Sequence, residues 1–511
     1  IALAILSVQD TTARSNPLDP RRLFVPLSES VGASLPIDLS VTGGYATPTT
    51  IHVAGEAAPR EGYDETSGRF QLRLEPTIIA SGRVWPIFQL YQLKLGVEAR
   101  YYVNDLHQSQ VELADPISVL RASWGRTRLT EAYGLAAGEH LAVKVGLMRS
   151  HWGVGLLAND NRTPAATVAS SPFGMSRWVD HVFRVQLAAF PLGQQRRRGT
   201  TRTPMTIALA ADGTISGADA EWTLGDRTYT GIAAIKLDLG RFQGGLYLVY
   251  RHQAHAQGGR TEVGAWDFHG RLQLLKGPVK LWLQTEFAWI IGATDYAQSV
   301  FHEKGYEVFA MGGVGRLGLE WRWLEAVFEV GMGSGDDNPY DNKLTTFSFN
   351  ASYRVGLLMF GSAGRIATSV SAFNIANPDY RERPPRGLER LAQRGAVQGA
   401  TYINPRLGFK PVKGLMLMAG FLWATANSDY SDAFWSGLAG GAAVGPNGAL
   451  SERVLGFEVD LGIRYEWRLS RATVTLRAEF AFFRPGPVFQ QADGSPAQDQ
   501  FGGWLHASAG F

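Results

Sequence analysis

The sequence predicts an all-β fold: a transmembrane antiparallel up-and-down β-barrel of about 18 strands, with short turns on one rim and long loops on the other. Three observations carry this. Apolar and polar residues alternate with period two through stretches of about ten residues. The connections between them fall into a tight class and a long class. The last eleven residues, 501–511, form one more alternating segment that ends on Phe511. Segment length separates a membrane barrel from a soluble sandwich, because a tilted bilayer crossing takes about 9–11 residues whereas soluble strands average nearer 5 or 6.

The alternation can be followed along the chain. Early candidates are 37–46, 69–79, 91–103, 119–135, 141–148 and 181–190. Within 91–103, Leu93, Leu95, Val97, Ala99 and Tyr101 face one way, and Lys94, Gly96, Glu98, Arg100 and Tyr102 the other. The middle of the chain supplies 205–210, 229–239, 242–252, 262–275, 279–290, 309–321 and 323–332. The last third adds 401–409, 415–426, 456–467, 473–483 and 501–511. In 456–467, Phe457, Val459, Leu461, Ile463 and Tyr465 oppose Glu458, Asp460, Gly462, Arg464 and Glu466. These are 18 segments; a further hairpin from 353–360 and 365–373 would make 20, with the same parity. An even number puts both ends of the barrel on the periplasmic side with the tight turns, such as 239–241, 276–278, 409–414 and 468–471. The long connections 291–306, 333–346, 427–453 and 484–500 then lie outside. Residues 1–35 read as an N-terminal periplasmic segment or signal remnant, and 36–511 as a single barrel. Residues 1–6, a short apolar scrap, read as the tail of an export signal.

Composition agrees. The chain has 59 glycines in 511 residues, 14 tryptophans, 19% charged residues, a formal charge of +3 and no cysteine. The glycine content is above, and the charge content below, the soluble averages of about 7% and about 25%. The densest apolar run, 415–426, is too short for a membrane helix. Absence of cysteine excludes a disulfide scaffold and a thiolate metal centre, and near-neutral charge argues against nucleic acid. G-x-S-x-G, H-E-x-x-H and P-loop motifs are absent, so neither enzymatic activity nor a cofactor is expected.

A barrel of this size encloses water or a plug rather than a packed core. Its predicted lumen face carries Lys94, Arg100, Lys144, Arg184, Lys236, Arg271, Arg316, Arg464 and Arg477, interleaved with Glu98, Asp238, Asp267, Glu286, Glu320, Glu458, Asp460 and Glu479. Such charges either act on solute or pair across strands to hold the wall. The segment 380–394 is the most basic, and its Arg386 and Arg390 join the lumen candidates; it either enters the pore, where guanidinium groups attract anions, or touches lipopolysaccharide phosphates. Arg196-Arg197-Arg198 belongs by parity to the periplasmic rim, where lipid contact is favoured over partner binding. Asp336, Asp337 and Asp341 gather hard oxygen ligands for calcium, yet lack the glycine and closing glutamate of an EF-hand, which favours a polar turn.

Several runs resemble the alginate-export family of outer-membrane barrels. They are Gly138-Glu139-His140-Leu141 followed by Val145-Gly146, the loop Gly333-Ser334-Gly335-Asp336-Asp337-Asn338-Pro339, the strand Glu458-Val459-Asp460-Leu461, and the exit Phe483-Arg484-Pro485-Gly486 before a terminal strand closing on Phe511. The run Arg149-Ser150-His151-Trp152-Gly153-Val154-Gly155 is similar to one in related barrels to which no role attaches. The resemblance implies a Gram-negative outer-membrane channel for passive diffusion or export of a polar, anionic solute or polysaccharide; a loop-plugged barrel serving an envelope complex is the alternative. Expected partners are outer-membrane lipid and lipopolysaccharide, the barrel-assembly machinery through the strand ending in Phe511, and the solute itself. The chain is expected as a monomer or within an envelope complex.

Overall fold

The computed structural model describes residues 24–26, 31–47, 67–85, 87–103, 126–161, 173–174, 179–197, 200–217, 220–256, 258–296, 305–338, 341–365, 367–368, 371, 393, 395–440 and 442–511. Its wall is a closed antiparallel barrel of 18 strands. In chain order these are β1 (Ile37–Ala46), β2 (Ser67–Leu74 continued by Thr77–Trp85), β3 (Phe88–Val103), β4 (Arg126–Ala137), β5 (Leu141–Arg149) and β6 (His181–Ala189). There follow β7 (Met205–Ser216), β8 (Arg227–Asp238), β9 (Phe242–Ala254), β10 (Arg260–Leu275), β11 (Val279–Thr294) and β12 (Tyr306–Trp321). The last six are β13 (Leu324–Gly333), β14 (Ala400–Phe409), β15 (Leu415–Ala426), β16 (Val454–Arg468), β17 (Thr473–Pro485) and β18 (Gln500–Gly510). Every predicted segment corresponds to one of them.

Lipid explains the alternation. On β16 the outward Val459, Leu461 and Ile463 are exposed, while the intervening Glu458 and Asp460 are fully buried against the interior. The ring closes between β18 and β1 in register, from Gly502 opposite Ala46 to Gly510 opposite Asp38. Below that, Phe511 and Ile37 exchange N–H···O bonds of 2.9 and 3.3 Å. No ladder edge is left within the wall, as hydrocarbon requires when it offers backbone groups no partner. Outward aromatics gather at both ends. Trp321, Trp323 and Phe409 cluster at the short-turn rim, with ring centroids 4.9 and 5.4 Å apart, and Phe482 and Phe501 stand 5.0 Å apart toward the long loops.

Departures from the predicted pattern have local causes. Pro76 has no N–H to give and divides β2, yet Leu95 N still donates to Pro76 O at 3.0 Å and the wall continues. Val31–Ser34 pairs with the lower half of β2, and Phe24–Pro26 pairs with Val31–Ser34, so the sheet starts earlier than residue 36. Gln195–Arg197 and Thr200–Arg202 form a separate hairpin in the short-turn connection after β6, the rim on which parity placed it. The additional hairpin is not formed. Residues 353–358 run through turns into a π-helical stretch, Met359–Gly364, and the described part of 365–373 contains no strand. Leu357, Leu358, Met359 and Phe360 are all buried in succession, whereas a lipid-facing strand buries only alternate residues.

If the outer face meets hydrocarbon, Leu461→Arg, near the middle of β16, should cost roughly 2–4 kcal/mol in a urea titration of folding into lipid vesicles. An unchanged midpoint would mean that this face is in water.

Candidate functional site

The barrel interior is organised by buried carboxylates on the wall. Glu98 on β3 receives Gln71 Nε2 at 2.7 Å, Arg73 Nη2 at 2.9 Å and Arg128 Nη2 at 3.1 Å, with Arg100 Nε 2.6 Å away. Lys94 Nζ sits between Glu75 at 2.8 Å and Glu131 at 2.5 Å. Arg184 donates through Nε and Nη2 to the two oxygens of Asp212, at 2.6 and 2.5 Å. Glu329 on β13 accepts from Arg316 Nε at 2.8 Å, Arg406 Nη2 at 2.6 Å, Tyr402 Oη at 2.7 Å and Tyr353 Oη at 2.9 Å. Removing either side of such a buried cluster costs about 3–5 kcal/mol, because the other charge is left unpaired.

The nine predicted cations on strands all lie on the inward face. Lys94, Arg100, Arg184 and Arg316 occupy the clusters above. Arg464 pairs with Glu466 at 2.7 Å, and Arg477 pairs with Glu479. Lys144 stands over the Tyr133 ring at 3.9 Å and Arg271 over Trp282 at 4.9 Å; Lys236 is partly buried on the inward side of β8. Arg386 and Arg390 lie outside the described residues. Sequence reasoning passed over Arg73, Arg128, Arg406 and Glu329, although each falls on the inward phase of its strand, so the same period-two count would have found them.

Among the described residues, two connections inside the barrel are fastened by one device. After β5, Val154 N and Leu156 N donate to Glu286 on β11, the second at 2.8 Å. After β13, the N–H groups of Leu357, Leu358 and Met359 donate to Glu458 on β16 at 2.5, 2.8 and 2.7 Å. Each begins at a glycine with positive φ: Gly153 at 57° and Gly356 at 70°. A Cβ on Gly153 would stand 1.9 Å from Glu286 Oε2, and one on Gly356 would stand 3.0 Å from both Glu458 oxygens. The glycines let successive N–H groups close on the carboxylate, the geometry of a backbone anion nest. The run 149–155 thus acquires a role: Trp152 is buried and stacks on Tyr247 with centroids 5.2 Å apart, and its neighbours grip Glu286. Phe347, Phe349, Tyr353 and Phe360 from the second connection pack with Tyr402, Leu422 and Phe483 of the wall and with Phe173, placing an apolar core inside the barrel.

Above this core, at the long-loop mouth, is a cavity of about 190 Å³ lined by hydroxyl and acidic groups including Thr346, Ser428, Asp336 and Asp432. Asp336 accepts from Asn338 N at 3.1 Å and Thr345 N at 3.0 Å, and Asp341 accepts from Lys343 N at 2.7 Å, bonds that build polar turns. Among the described residues no group of three His, Asp or Glu is arranged to hold a metal ion. Asp432 caps the helix Ala433–Leu438 by accepting from Trp435 N at 2.9 Å. Burial pushes its carboxyl up to about 6, against the pull of the N–H donors and Ser371.

Two outcomes follow for these loops. Glu458→Ala strips three N–H groups of their acceptor, so trypsin should cut after Arg354 or Arg365 at least about tenfold faster while the barrel stays folded; unchanged cleavage would show that the latch does not hold the loop. For Asp432, the folded state prefers the protonated carboxyl. Its stabilisation is therefore complete below about 3.8 and lost as pH rises through about 6, a change on the order of 1–3 kcal/mol. Hydrogen exchange of the 434–437 amides, corrected for intrinsic rate, should lose protection over that window, and Asp432→Asn, which keeps a cap, should flatten it. Equal slopes in both proteins would discard the assignment.

No protein-family model and no curated protein matches the chain. Among solved structures, Pseudomonas aeruginosa OccK2 (OpdF) is similar, at a TM-score of 0.50 and 11% identity over 93% of this chain and 97% of that one. Pseudomonas aeruginosa OccK11 (OpdR) aligns at a TM-score of 0.48 and 11% identity, over 93% and 96% of the two chains. The outer membrane protein opdK from Pseudomonas aeruginosa aligns at 0.47 and 12%, over 93% and 98%. The similarity is one of fold, a closed outer-membrane-type β-barrel, and it does not support the narrower alginate-export family.

Proposed function

We propose that this chain is a passive channel of a Gram-negative outer membrane, admitting polar solutes through a lumen narrowed by its own loops. The observation that carries the reading is the division of a closed 18-strand wall into an apolar outer face and a charged inner one. That is the arrangement of a water-filled passage through lipid. No energy source is coupled to transport; selectivity comes from the wall charges and the inserted loops.

Solute preference is for small anions or an anionic saccharide. Most wall cations are matched to a carboxylate, which fixes the wall and leaves little field. At Glu98 three guanidinium groups converge on one carboxylate, and the side chains of Arg73 and Arg128 keep 22% and 27% of their surface exposed. A passing carboxylate or phosphate would find guanidinium donors there. The apolar core of the second inserted connection favours a further reading, a barrel sealed at rest that serves a larger envelope assembly.

Purified protein in planar bilayers should show ohmic conductance steps without added energy, and its reversal potential in a potassium chloride gradient should indicate anion preference. Arg73→Gln with Arg128→Gln should lower the anion-to-cation permeability ratio by at least about twofold. Protein that inserts and never conducts would overturn the channel in favour of the sealed barrel; an unchanged ratio would remove these arginines from selectivity.

A further inference from the structure

The short-turn rim carries a pattern that a solute channel does not need. Five consecutive turns each set an exposed large apolar side chain beside a cation. Leu239 precedes Arg241, Leu275 precedes Lys276 and Trp323 follows Arg322; Val412 precedes Lys413 and Leu469 precedes Arg471. The apolar members are 43–61% exposed, and all five cations are exposed. None of the five has a carboxylate partner among the described residues, although Arg202, Lys280 and Arg468 close by pair with Asp238, Glu320 and Glu466. The turns 239–241, 276–278, 322–323, 410–414 and 469–472 hold six cations and no carboxylate. In the described parts of 334–348, 427–453 and 486–499, at the other mouth, eight carboxylates face two cations. Over these turns and loops the charge is therefore segregated along the barrel axis, while the earlier short turn 138–140 carries the exposed Glu139.

Neither water nor hydrocarbon suits such pairs. Leucine and tryptophan this exposed would be costly in water, and an unpaired guanidinium or ammonium would be costly among acyl chains. Both are satisfied at the depth where acyl chains meet phosphates, with the long cationic side chains reaching outward. Trp321, Trp323 and Phe409 form an aromatic cluster at the same level, as interfacial belts do. Arg322 holds its place at φ 34°, in a two-residue turn where glycine or asparagine would be cheaper.

We propose that the short-turn rim is a binding belt for anionic glycerophospholipid headgroups, each turn presenting one cation to a phosphate and one apolar group to the acyl chains. The proposal rests on the membrane reading above. It is tested with refolded protein in phosphatidylcholine vesicles, comparing association of spin-labelled phosphatidylglycerol and spin-labelled phosphatidylcholine. Phosphatidylglycerol should be preferred about fivefold at low salt, with the preference falling as salt rises. It should approach unity in Arg241→Gln/Lys276→Gln/Lys413→Gln/Arg471→Gln with conductance retained, and take an intermediate value in Arg241→Gln/Lys413→Gln. Protein that inserts and conducts but shows no preference, or a preference that survives the fourfold change, overturns the belt alone. Soluble polyglutamate binding without lipid preference would overturn it in favour of an acidic protein partner, and failure to insert would overturn the membrane reading with it.

Discussion

Hydrocarbon supplies no hydrogen-bond partners, and the architecture follows from that constraint. Every N–H and C=O at membrane depth must find its partner in a neighbouring strand, so the first and last strands must meet. The register between β18 and β1 accomplishes this, and the exchange between Phe511 and Ile37 ends it. Once the ring is closed, each strand has one face in lipid and one in the lumen. Position along the strand then determines whether a residue such as Leu461 or Asp460 is apolar or charged.

Inside, the constraint changes from backbone to charge. Eighteen strands enclose more volume than wall side chains fill, and the chain uses its own connections to occupy part of it. Glu286 and Glu458, fully buried, would be costly if alone. The inserted segments would likewise be costly if their N–H groups found no acceptor. Each solves the other's problem, and Glu329 does the same through side chains, drawing Arg316, Arg406, Tyr353 and Tyr402 into one cluster. The interior is held by matched polar groups around an apolar centre, so the wall and the inserted loops form one structural unit.

The wall was legible in the sequence because lipid enforces a period. Each of the 18 segments found from alternation overlaps a strand, with residues 119–125 of one lying outside the described residues and differences otherwise mainly at the ends, such as β7 continuing to Ser216 and β10 to β12 each reaching 16 residues. The inserted connections were not legible. Residues 353–360 resemble a strand in composition, but they are packed on every side, and packing on every side leaves no period to read. Nor could the grip on Glu286 and Glu458 be read, since the donors are main-chain N–H groups that every residue but proline possesses. The only trace was glycine at 153 and 356, in a chain where glycine is common. The predicted cations fall on the inward phase of their strands, whereas their partners depended on which strands lie side by side and in which register.

Fastening a loop by its main chain has an evolutionary corollary. Leu357, Leu358 and Met359 grip Glu458 through N–H groups that any residue but proline would supply, so hydrogen bonding otherwise constrains only Gly356 and Glu458. Side chains of the connection that lie outside the apolar core can change while the loop keeps its seat. Such a seat would let the rest of the connection vary in sequence on an almost invariant frame.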